Sequence, residues 1–257
     1  MLRLDGIAYR YAGASRDSLH SVSLTLPEGS ITGLVGGSEA GKSTLCLVLG
    51  GLAPRVIRGT LRGSMSIDGE DVAAWPLHRV TEQVVVGLQD PAGQLSLVAE
   101  TVYEEVALGP ANLGLPRSEI MRRTHESLEA VALGGLAARD PRHLSGGQQQ
   151  LVVLAGLFAM RARYLVLDEP LAHLDTHGTE LVMDAIAAVA ATGTAVLIVE
   201  QRSDVLAEHC PSIGVMAAGN LVRQGETAEV LAEPSVLALG VREPEEQRLH
   251  RLLAEAG

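Results

Sequence analysis

The chain has 257 residues, 47% of them hydrophobic but only 2% aromatic, and a net charge of −11. This length suits one large α/β domain or two small ones. The acidic balance argues against nucleic acid or an anionic lipid surface as the main partner. No apolar stretch is long enough to span a bilayer, and the N-terminus lacks the apolar core of a signal peptide. We therefore expect an intracellular protein that reaches a membrane only through a partner.

The first elements predicted are antiparallel strands that lead to a buried strand and a helix. Leu2–Leu4 and Ser21–Leu26 alternate apolar and polar residues, and a turn follows at Pro27–Gly29. The apolar run Ser30–Val35 predicts a buried strand, and Ser43–Leu49 predicts the start of a helix. Strand, glycine-rich turn and helix is the order that a phosphate-binding loop requires.

The turn between that strand and helix carries the pattern G-x-x-x-x-G-K-S. It comprises Gly36, Gly37, Ser38, Glu39, Ala40, Gly41, Lys42 and Ser43, followed by Thr44. Lys42 is the only lysine among 20 basic residues, and a compact ammonium suits the β- and γ-phosphates of a nucleotide. The helix start favours their negative charge, and the Ser43 hydroxyl would hold Mg²⁺. A chance lysine in a glycine-rich turn is the alternative, and the flanking strand and helix speak against it.

Further along, the pattern predicts two more strands and then a mostly helical segment. The strands are Gly63–Glu70, with its turn, and Gln83–Leu88, which ends at Gln89. Residues 92–143 are mostly helical in pattern, with predicted breaks at Gly109–Pro110 and Leu115–Pro116. From Leu144 a helix, strand, helix and strand follow, the last at Ala195–Val199. In the charged tail, Leu249, Leu252 and Leu253 recur at helical spacing.

A pair of carboxylates ends the apolar strand that begins at Tyr164. Asp168 would lie on the Mg²⁺ side of the phosphate loop. Glu169, one residue further, would stand near the γ-phosphate as the general base that activates water. A strand ending in two acidic residues is weak evidence alone, but together with Lys42 it predicts a nucleoside triphosphatase.

The segment Leu144–Gln150 reads L-S-G-G-Q-Q-Q and precedes a long apolar helix. With this motif the chain resembles the ATP-binding cassette (ABC) family. The resemblance implies that Ser145, Gly146, Gly147 and Gln148 receive the γ-phosphate of ATP held by a second subunit. A helix N-terminus carrying glycine N–H groups and a hydroxyl suits that contact. The alternative is an ordinary helix cap with a polar first turn.

The resemblance assigns roles to three further residues. Tyr11 would stack on adenine, although a core or strand-surface tyrosine is the alternative. Gln89 would sense Mg²⁺ and the γ-phosphate and couple to the membrane partner, and Asp175 would cross the dimer interface. The implied Mg²⁺ ligands are Ser43, Gln89 and Asp168. His173 and His177 could imitate a metal pair, but no third ligand is suggested.

A closer resemblance covers Gln89–Leu95 and Thr101–Leu115, which are similar to the ATPase subunits of energy-coupling factor transporters. Glu104 and Glu105 belong to this run, and a solvated helix face is their alternative. The resemblance implies import of a vitamin or a transition-metal ion. It also implies a second ABC ATPase subunit, a transmembrane coupling protein, a substrate-binding membrane protein and a peripheral position on the cytoplasmic face. Alternatives are the ATPase of a conventional importer or exporter, or a soluble ABC protein of translation or DNA repair.

The chain departs from the family at the position of the switch histidine. Gln201 stands there, within Glu200-Gln201-Arg202. Glutamine donates a hydrogen bond but carries no proton near neutral pH. The chain's own site is therefore expected to hydrolyse ATP slowly. Glu39 and Ala40, and Leu151 after the signature, are smaller departures.

These observations predict an ABC ATPase of the α/β class. A P-loop core would carry an N-terminal antiparallel β subdomain and a helical subdomain at about residues 92–150. We expect the ATPase domain to span residues 1–230, followed by a C-terminal helical tail at residues 231–257. Two such subunits, related head to tail, would enclose two ATP molecules.

Overall fold

The computed structural model describes residues 1–245, 248 and 249. Its N-terminal sheet is antiparallel: the strand Leu2–Tyr11 lies between the strands Leu19–Leu26 and Gly59–Ile67, and the short strand Glu70–Asp71 lies beyond the latter. Along the first strand Leu2 and Leu4 are buried and Arg3 is exposed, so the alternating sequence places one face of this sheet on a core. The strands are β1 (Leu2–Tyr11), β2 (Leu19–Leu26), β4 (Gly59–Ile67) and β5 (Glu70–Asp71).

The central sheet is mostly parallel. Its strands are β3 (Ile31–Gly36), β6 (Val84–Gly87), β7 (Tyr164–Asp168), β8 (Ala195–Val199), β9 (Ser212–Ala217) and β10 (Asn220–Glu226). They lie in the order β10-β9-β3-β8-β7-β6, and only β10 runs antiparallel to its neighbour. Parallel strands place their carboxyl ends at one edge, which is where α/β sheets bind ligands. The segments that follow β3, β6, β7 and β8 therefore meet there.

Burial on both faces explains the continuous apolar runs of the central strands. Every residue of β7 and β8 is buried. In β7, Leu165 and Leu167 join one hydrophobic cluster, whereas Tyr164 and Val166 join the cluster on the opposite face. Helical residues 152–159 and 182–190 cover the first face, whereas residues 45–49 and the antiparallel sheet cover the second.

Outside residues 92–143, the segment predicted to be mostly helical, most of the described α-helices are short. They are α1 (Lys42–Leu49), α2 (Leu52–Arg55), α3 (Leu77–Gln83), α4 (Val102–Asn112), α5 (Arg117–Ala130), α6 (Gly146–Met160), α7 (Thr176–Ala191), α8 (Ser203–His209), α9 (Thr227–Leu231) and α10 (Pro234–Leu237). The helices α4, α5 and α6 pack against one another. Among the described residues, no helix is long and apolar enough to cross a membrane.

The structure confirms the predicted fold class, but the predicted break at Gly109–Pro110 is wrong. Both residues lie inside α4. Pro110 cannot donate a helical hydrogen bond, yet the helix ends two residues later, so little of it is disturbed. Gly109 faces α6, and a Cβ there would lie 2.5 Å from Sδ of Met160, the flexible end of that side chain. The break occurs only after Asn112.

Other differences between the predicted and the observed elements concern one strand boundary and the C-terminal strands and helices. The strand predicted from Gly63 begins four residues earlier, at Gly59. The strands β9 and β10 were not predicted, because β9 is a short run interrupted by Gly214 and its stability comes from pairing with β3. Within the predicted tail α10 is described, with α9 ending at its first residue, whereas Leu252 and Leu253 lie outside the described residues.

Candidate functional site

The phosphate loop connects β3 to α1 and holds the single lysine inside it. Lys42 is only 7% exposed. Its Nζ donates hydrogen bonds to the carbonyl oxygens of Gly36 at 2.8 Å and Gly37 at 2.9 Å. Burial lowers the pKa of Lys42, and the nearby carboxylates of Glu169 and Asp168 oppose that shift. The ammonium is thus positioned at the helix start, where an anion is favoured.

Two glycines of this loop are required by close contacts. Gly36 has φ of 155°, and a Cβ there would lie 2.2 Å from the carbonyl oxygen of Met216 on β9. Gly41 has φ of 98°, and its Cβ would lie 2.8 Å from the carbonyl oxygen of Ser18. Because both contacts are with backbone atoms, a side chain would force the loop out of place.

Asp168 ends β7 beside the first turn of α1. It is 4% exposed, and burial raises its pKa, while a hydrogen bond with the Ser43 hydroxyl and the charge of Lys42 lower it. A hydroxyl and a carboxylate held together form an oxygen-donor set that fits Mg²⁺. The third predicted ligand, Gln89, bonds to Glu169 in this structure.

Glu169 is the point at which the predicted catalytic residues meet. Its carboxylate accepts hydrogen bonds from Nε2 of Gln89 and from Nε2 of Gln201, both at 2.7 Å. A carboxylate only accepts, so both amide nitrogens must face it. The Glu169 backbone has φ of 52°, a conformation uncommon for residues other than glycine. Its N–H donates to the carbonyl of Val199 at the end of β8.

A cleft of about 700 Å³ extends along the phosphate loop and reaches Gln89, Glu169 and Gln201. Sequence reasoning missed several of its lining residues, namely Arg16, Asp17, Ser18, His20, Ala218 and Gly219. They come from the β1–β2 connection, the start of β2 and the β9–β10 turn. The backbone of Gly219 joins this turn to the phosphate loop and to β2, since its N–H donates to the carbonyl of Ala40 and its carbonyl accepts from the N–H of His20. No motif marks these residues, so only the tertiary structure could reveal them.

Tyr11 lies at the end of β1 and is half-buried. Its hydroxyl is 3.0 Å from Oγ1 of Thr44, and its ring meets that of Tyr9 edge-on at 5.0 Å. Tyr11 is therefore tied to the helix of the phosphate loop, but it does not line the cleft. Its stacking on adenine stays a prediction.

The signature residues form the start of α6 and lie away from the chain's own phosphate loop. Ser145 caps the helix, accepting from the Gln148 N–H at 3.3 Å, while Gln148 accepts from the Ser145 N–H at 3.1 Å. Ser145 and Gly146 are exposed. A Cβ on Gly147 would lie 2.8 Å from the carbonyl oxygen of His173. None of these residues lines the cleft.

Asp175 caps α7 by accepting a hydrogen bond from the N–H of Gly178 at 2.8 Å. His173 and His177, on either side, are exposed. Within residues 1–245, 248 and 249, no group of three His, Cys, Asp or Glu side chains could hold a metal ion. Cys46 and Cys210 are buried free thiols, and burial raises the pKa of both.

Side-chain hydrogen bonds fix the segment that follows β6. The glutamine and glutamates that make them belong to the runs Gln89–Leu95 and Thr101–Leu115, for which the sequence offered only a family resemblance. The amide of Gln94 bonds to both the N–H and the carbonyl of Leu88, each at 2.8 Å. Glu105 accepts from the N–H and the hydroxyl of Ser96, and Glu104 forms a capping box with Thr101. Both glutamates thus make specific hydrogen bonds and are not merely solvated. They hold the connection that presents Gln89.

Comparison with known proteins gives a consistent result. The family model described as ABC transporter matches residues 19–172. A putative ABC transporter ATP-binding protein of Pyrococcus abyssi is 32% identical over 100% of this chain and 92% of its own length. The energy-coupling factor transporter ATP-binding protein EcfA2 of Symbiobacterium thermophilum is 37% identical over 93% of this chain and 82% of the relative.

Among solved structures, cbiO1 of Clostridium perfringens, described as part of the ABC transporter complex cbiONQ, is similar over nearly its whole length. The TM-score is 0.79 and the identity 27%, with 97% of this chain and 98% of that chain covered. The likeness therefore includes both sheets and the segment of α4, α5 and α6.

Proposed function

The chain belongs to the family of ABC transporter ATP-binding proteins, and from this membership we propose that it binds MgATP in the cleft at the phosphate loop and hydrolyses it. The observation that carries the proposal is the meeting of Lys42, Asp168 and Glu169 at the carboxyl edge of the central sheet. Each group comes from a different part of the sequence, and together they supply a phosphate cation, a metal-facing carboxylate and a base.

In the proposed reaction the chain's residues position ATP and accept one proton. Lys42 and the N–H groups at the start of α1 bind the β- and γ-phosphates. Ser43 and Asp168, with Gln89, would hold Mg²⁺, which would neutralise phosphate charge. Glu169 takes a proton from the attacking water as the bond from the γ-phosphorus to the leaving ADP oxygen breaks. The proton leaves Glu169 afterwards with the phosphate or to solvent.

We further propose that the ATPase serves an energy-coupling factor importer for a vitamin or a transition-metal ion. Support comes from the similarity to EcfA2 of Symbiobacterium thermophilum and to cbiO1 of Clostridium perfringens. The chain would lie peripherally on the cytoplasmic face, bound to a transmembrane coupling protein and, through it, to a substrate-binding membrane protein. An ATPase of a conventional importer or exporter is the second candidate, which the match to the broader ABC transporter family model also fits.

The proposed assembly is a head-to-tail dimer, which the exposed position of Ser145 and Gly146 supports. In it this chain's signature would complete a site on the other subunit. Gln201 in place of histidine suggests that the other subunit is a different, related ATPase that keeps its histidine. This chain would then be the slower half of a heterodimer.

Purification from detergent-solubilised membranes tests these assignments. A tagged copy of the chain is expected to retain a second ATPase and an integral membrane protein through washing, and the complex should hydrolyse ATP. Retention of two ATPase chains with one small coupling protein supports the energy-coupling factor class. Recovery with two large, similar membrane subunits would favour a conventional transporter, and recovery of no membrane protein would contradict a transport role.

A further inference from the structure

Glu200 is a buried carboxylate to which the proposed mechanism gives no role. It follows β8 directly and is 3% exposed. Oε1 accepts a hydrogen bond from the N–H of Leu171, and Oε2 accepts one from the N–H of Gln201, both at 3.1 Å. In the described part of the chain its partners are the backbone N–H groups of Leu171, Gln201 and, next to it, Arg202, and not a cation. A charge removed from water in this way is costly unless hydrogen bonds satisfy it.

These two hydrogen bonds join the loops that carry the catalytic groups. Leu171 lies two residues after Glu169, and Gln201 is the residue that bonds to the Glu169 carboxylate. The N–H of Glu200 itself donates to the carbonyl of Leu34 on β3, the strand that leads into the phosphate loop. Glu200 therefore contacts both loops and the base of the phosphate loop through main-chain groups.

The contacts close a ring around the proposed base. One side is the bond between the side chains of Glu169 and Gln201 at 2.7 Å. The other side is the Glu200 carboxylate, which bridges the main chains of Gln201 and Leu171. Within this ring Glu169 keeps a left-handed backbone, φ 52°, which persists only where surrounding contacts impose it.

We propose that Glu200 is a positioning residue for the catalytic base: by tying residues 169–171 to Gln201, it fixes where the Glu169 carboxylate stands relative to the γ-phosphate. The proposal rests on the assignment of Glu169 as the base. Glu200 does not line the cleft, so its effect falls on the chemical step and not on nucleotide binding.

The test uses the assembled complex in which the catalytic glutamate of the second ATPase is changed to glutamine, so that hydrolysis reports this chain's own site. Glu200→Gln keeps the shape but offers one acceptor where two are needed. One buried N–H then loses its acceptor. The loops that carry Glu169 are held less firmly, and kcat should fall roughly tenfold. We expect that loss with KM and MgATP affinity unchanged. The exposed Glu208→Gln on α8 removes the same charge and should leave kcat unaltered.

A second variant separates geometry from charge. Glu200→Asp keeps the carboxylate but shortens its reach, so it cannot accept from both loops, and kcat should fall as it does in Glu200→Gln. In a Glu169→Gln background neither change should lower the residual rate further, because no base is left to position. A structural role alone would instead lower the melting temperature and nucleotide affinity and leave kcat per folded site intact.

The outcomes distinguish this inference from the proposed function. If Glu169→Gln leaves hydrolysis at this site intact, the assignment of the base fails whatever Glu200 does. If Glu169→Gln abolishes hydrolysis while Glu200→Gln and Glu200→Asp retain the wild-type kcat, only the positioning role of Glu200 is overturned. Full activity of Glu200→Asp alone would also overturn it, since charge and not the double bridge would then suffice.

Discussion

The sequence contains one lysine, and its ammonium is buried between carbonyl groups of the loop it serves. Replacing it leaves the β- and γ-phosphates partly uncompensated in a site built around them. We expect Lys42→Ala to weaken MgATP binding by roughly 10- to 100-fold, since a hydrogen bond to a charged group contributes about 1.5–3 kcal/mol. Hydrolysis at this site should be lost. Calorimetric titration with MgATP measures the first effect.

The matched variant Lys42→Arg keeps the charge but replaces a point ammonium by a planar guanidinium. It should remain impaired, because the buried loop leaves little space for the larger group. Wild-type affinity together with normal turnover in Lys42→Ala would rule out the phosphate-loop assignment.

A second prediction at the residue scale concerns Glu169. Glu169→Gln keeps the size of the side chain but removes the base, and loss of a positioned base lowers the rate by about 10²- to 10⁴-fold. ATP should still bind, so the closed dimer with the second ATPase should accumulate. Light scattering with and without ATP measures this. If ATP does not stabilise the dimer of the variant, the proposed sandwich of two nucleotides is contradicted.

Individual residues differ in how far the sequence could reveal them. Lys42, Asp168 and Glu169 belong to motifs whose chemistry is local, so their place at one edge of the sheet followed from a strand–turn–helix order. Glu200 stands next to Gln201 in the sequence, but its proposed role depends on a hydrogen bond from the N–H of Leu171, 29 residues away. Arg16 and His20 line the cleft only because two distant turns meet. Such contacts have no sequence pattern.

At the scale of helices and strands, the sequence predicted the central elements well and the marginal ones poorly. The strands β7 and β8 are apolar throughout because both faces are covered, which makes them easy to recognise. Pro110 was predicted to break a helix and does not, because α4 is nearly complete there and packing on α6 holds it. Tertiary contacts overrode a local propensity.

A pair of glycines on facing helices tests this explanation. A Cβ on Gly109 of α4 would lie 2.5 Å from Sδ of Met160, whereas a Cβ on Gly156 of α6 would meet nothing within 4 Å. Alanine is favoured over glycine in a helix by about 1 kcal/mol. Gly156→Ala should therefore stabilise the protein by about that amount. Gly109→Ala should stabilise the protein less, because Sδ of Met160, at the flexible end of its side chain, must first move aside.

Thermal unfolding of both variants measures the difference, and a double-mutant cycle checks its cause. In a Met160→Ala background Sδ is absent, so Gly109→Ala should stabilise the protein as much as Gly156→Ala does. Equal melting temperatures for Gly109→Ala and Gly156→Ala would show that the close approach of α4 and α6 does not constrain the helix.

At the scale of the whole molecule, the signature lies outside the cleft, and in the proposed dimer the two would serve different nucleotides. The cleft holds Lys42 and Glu169, and the signature at Ser145 lies away from it. A net charge of −11 makes self-association depend on specific contacts and not on general attraction. In the proposed dimer a head-to-tail partner would engage both the cleft and the signature, and that partner need not be a second copy.

The identity of that partner gives the last prediction. In the proposed dimer each ATP takes its phosphate loop, its acidic pair and its switch residue from one subunit, and its signature from the other. This chain offers an intact signature but has Gln201 at the switch, where glutamine supplies a hydrogen bond to Glu169 and no proton. Its own site should hydrolyse slowly, and its signature should complete a faster site on a partner that keeps the histidine. Changing the two catalytic glutamates to glutamine one at a time in the assembled complex decides the matter. The partner's change should remove most of the turnover, and Glu169→Gln should remove little. Equal losses would mean that Gln201 substitutes fully for histidine and that both sites work alike.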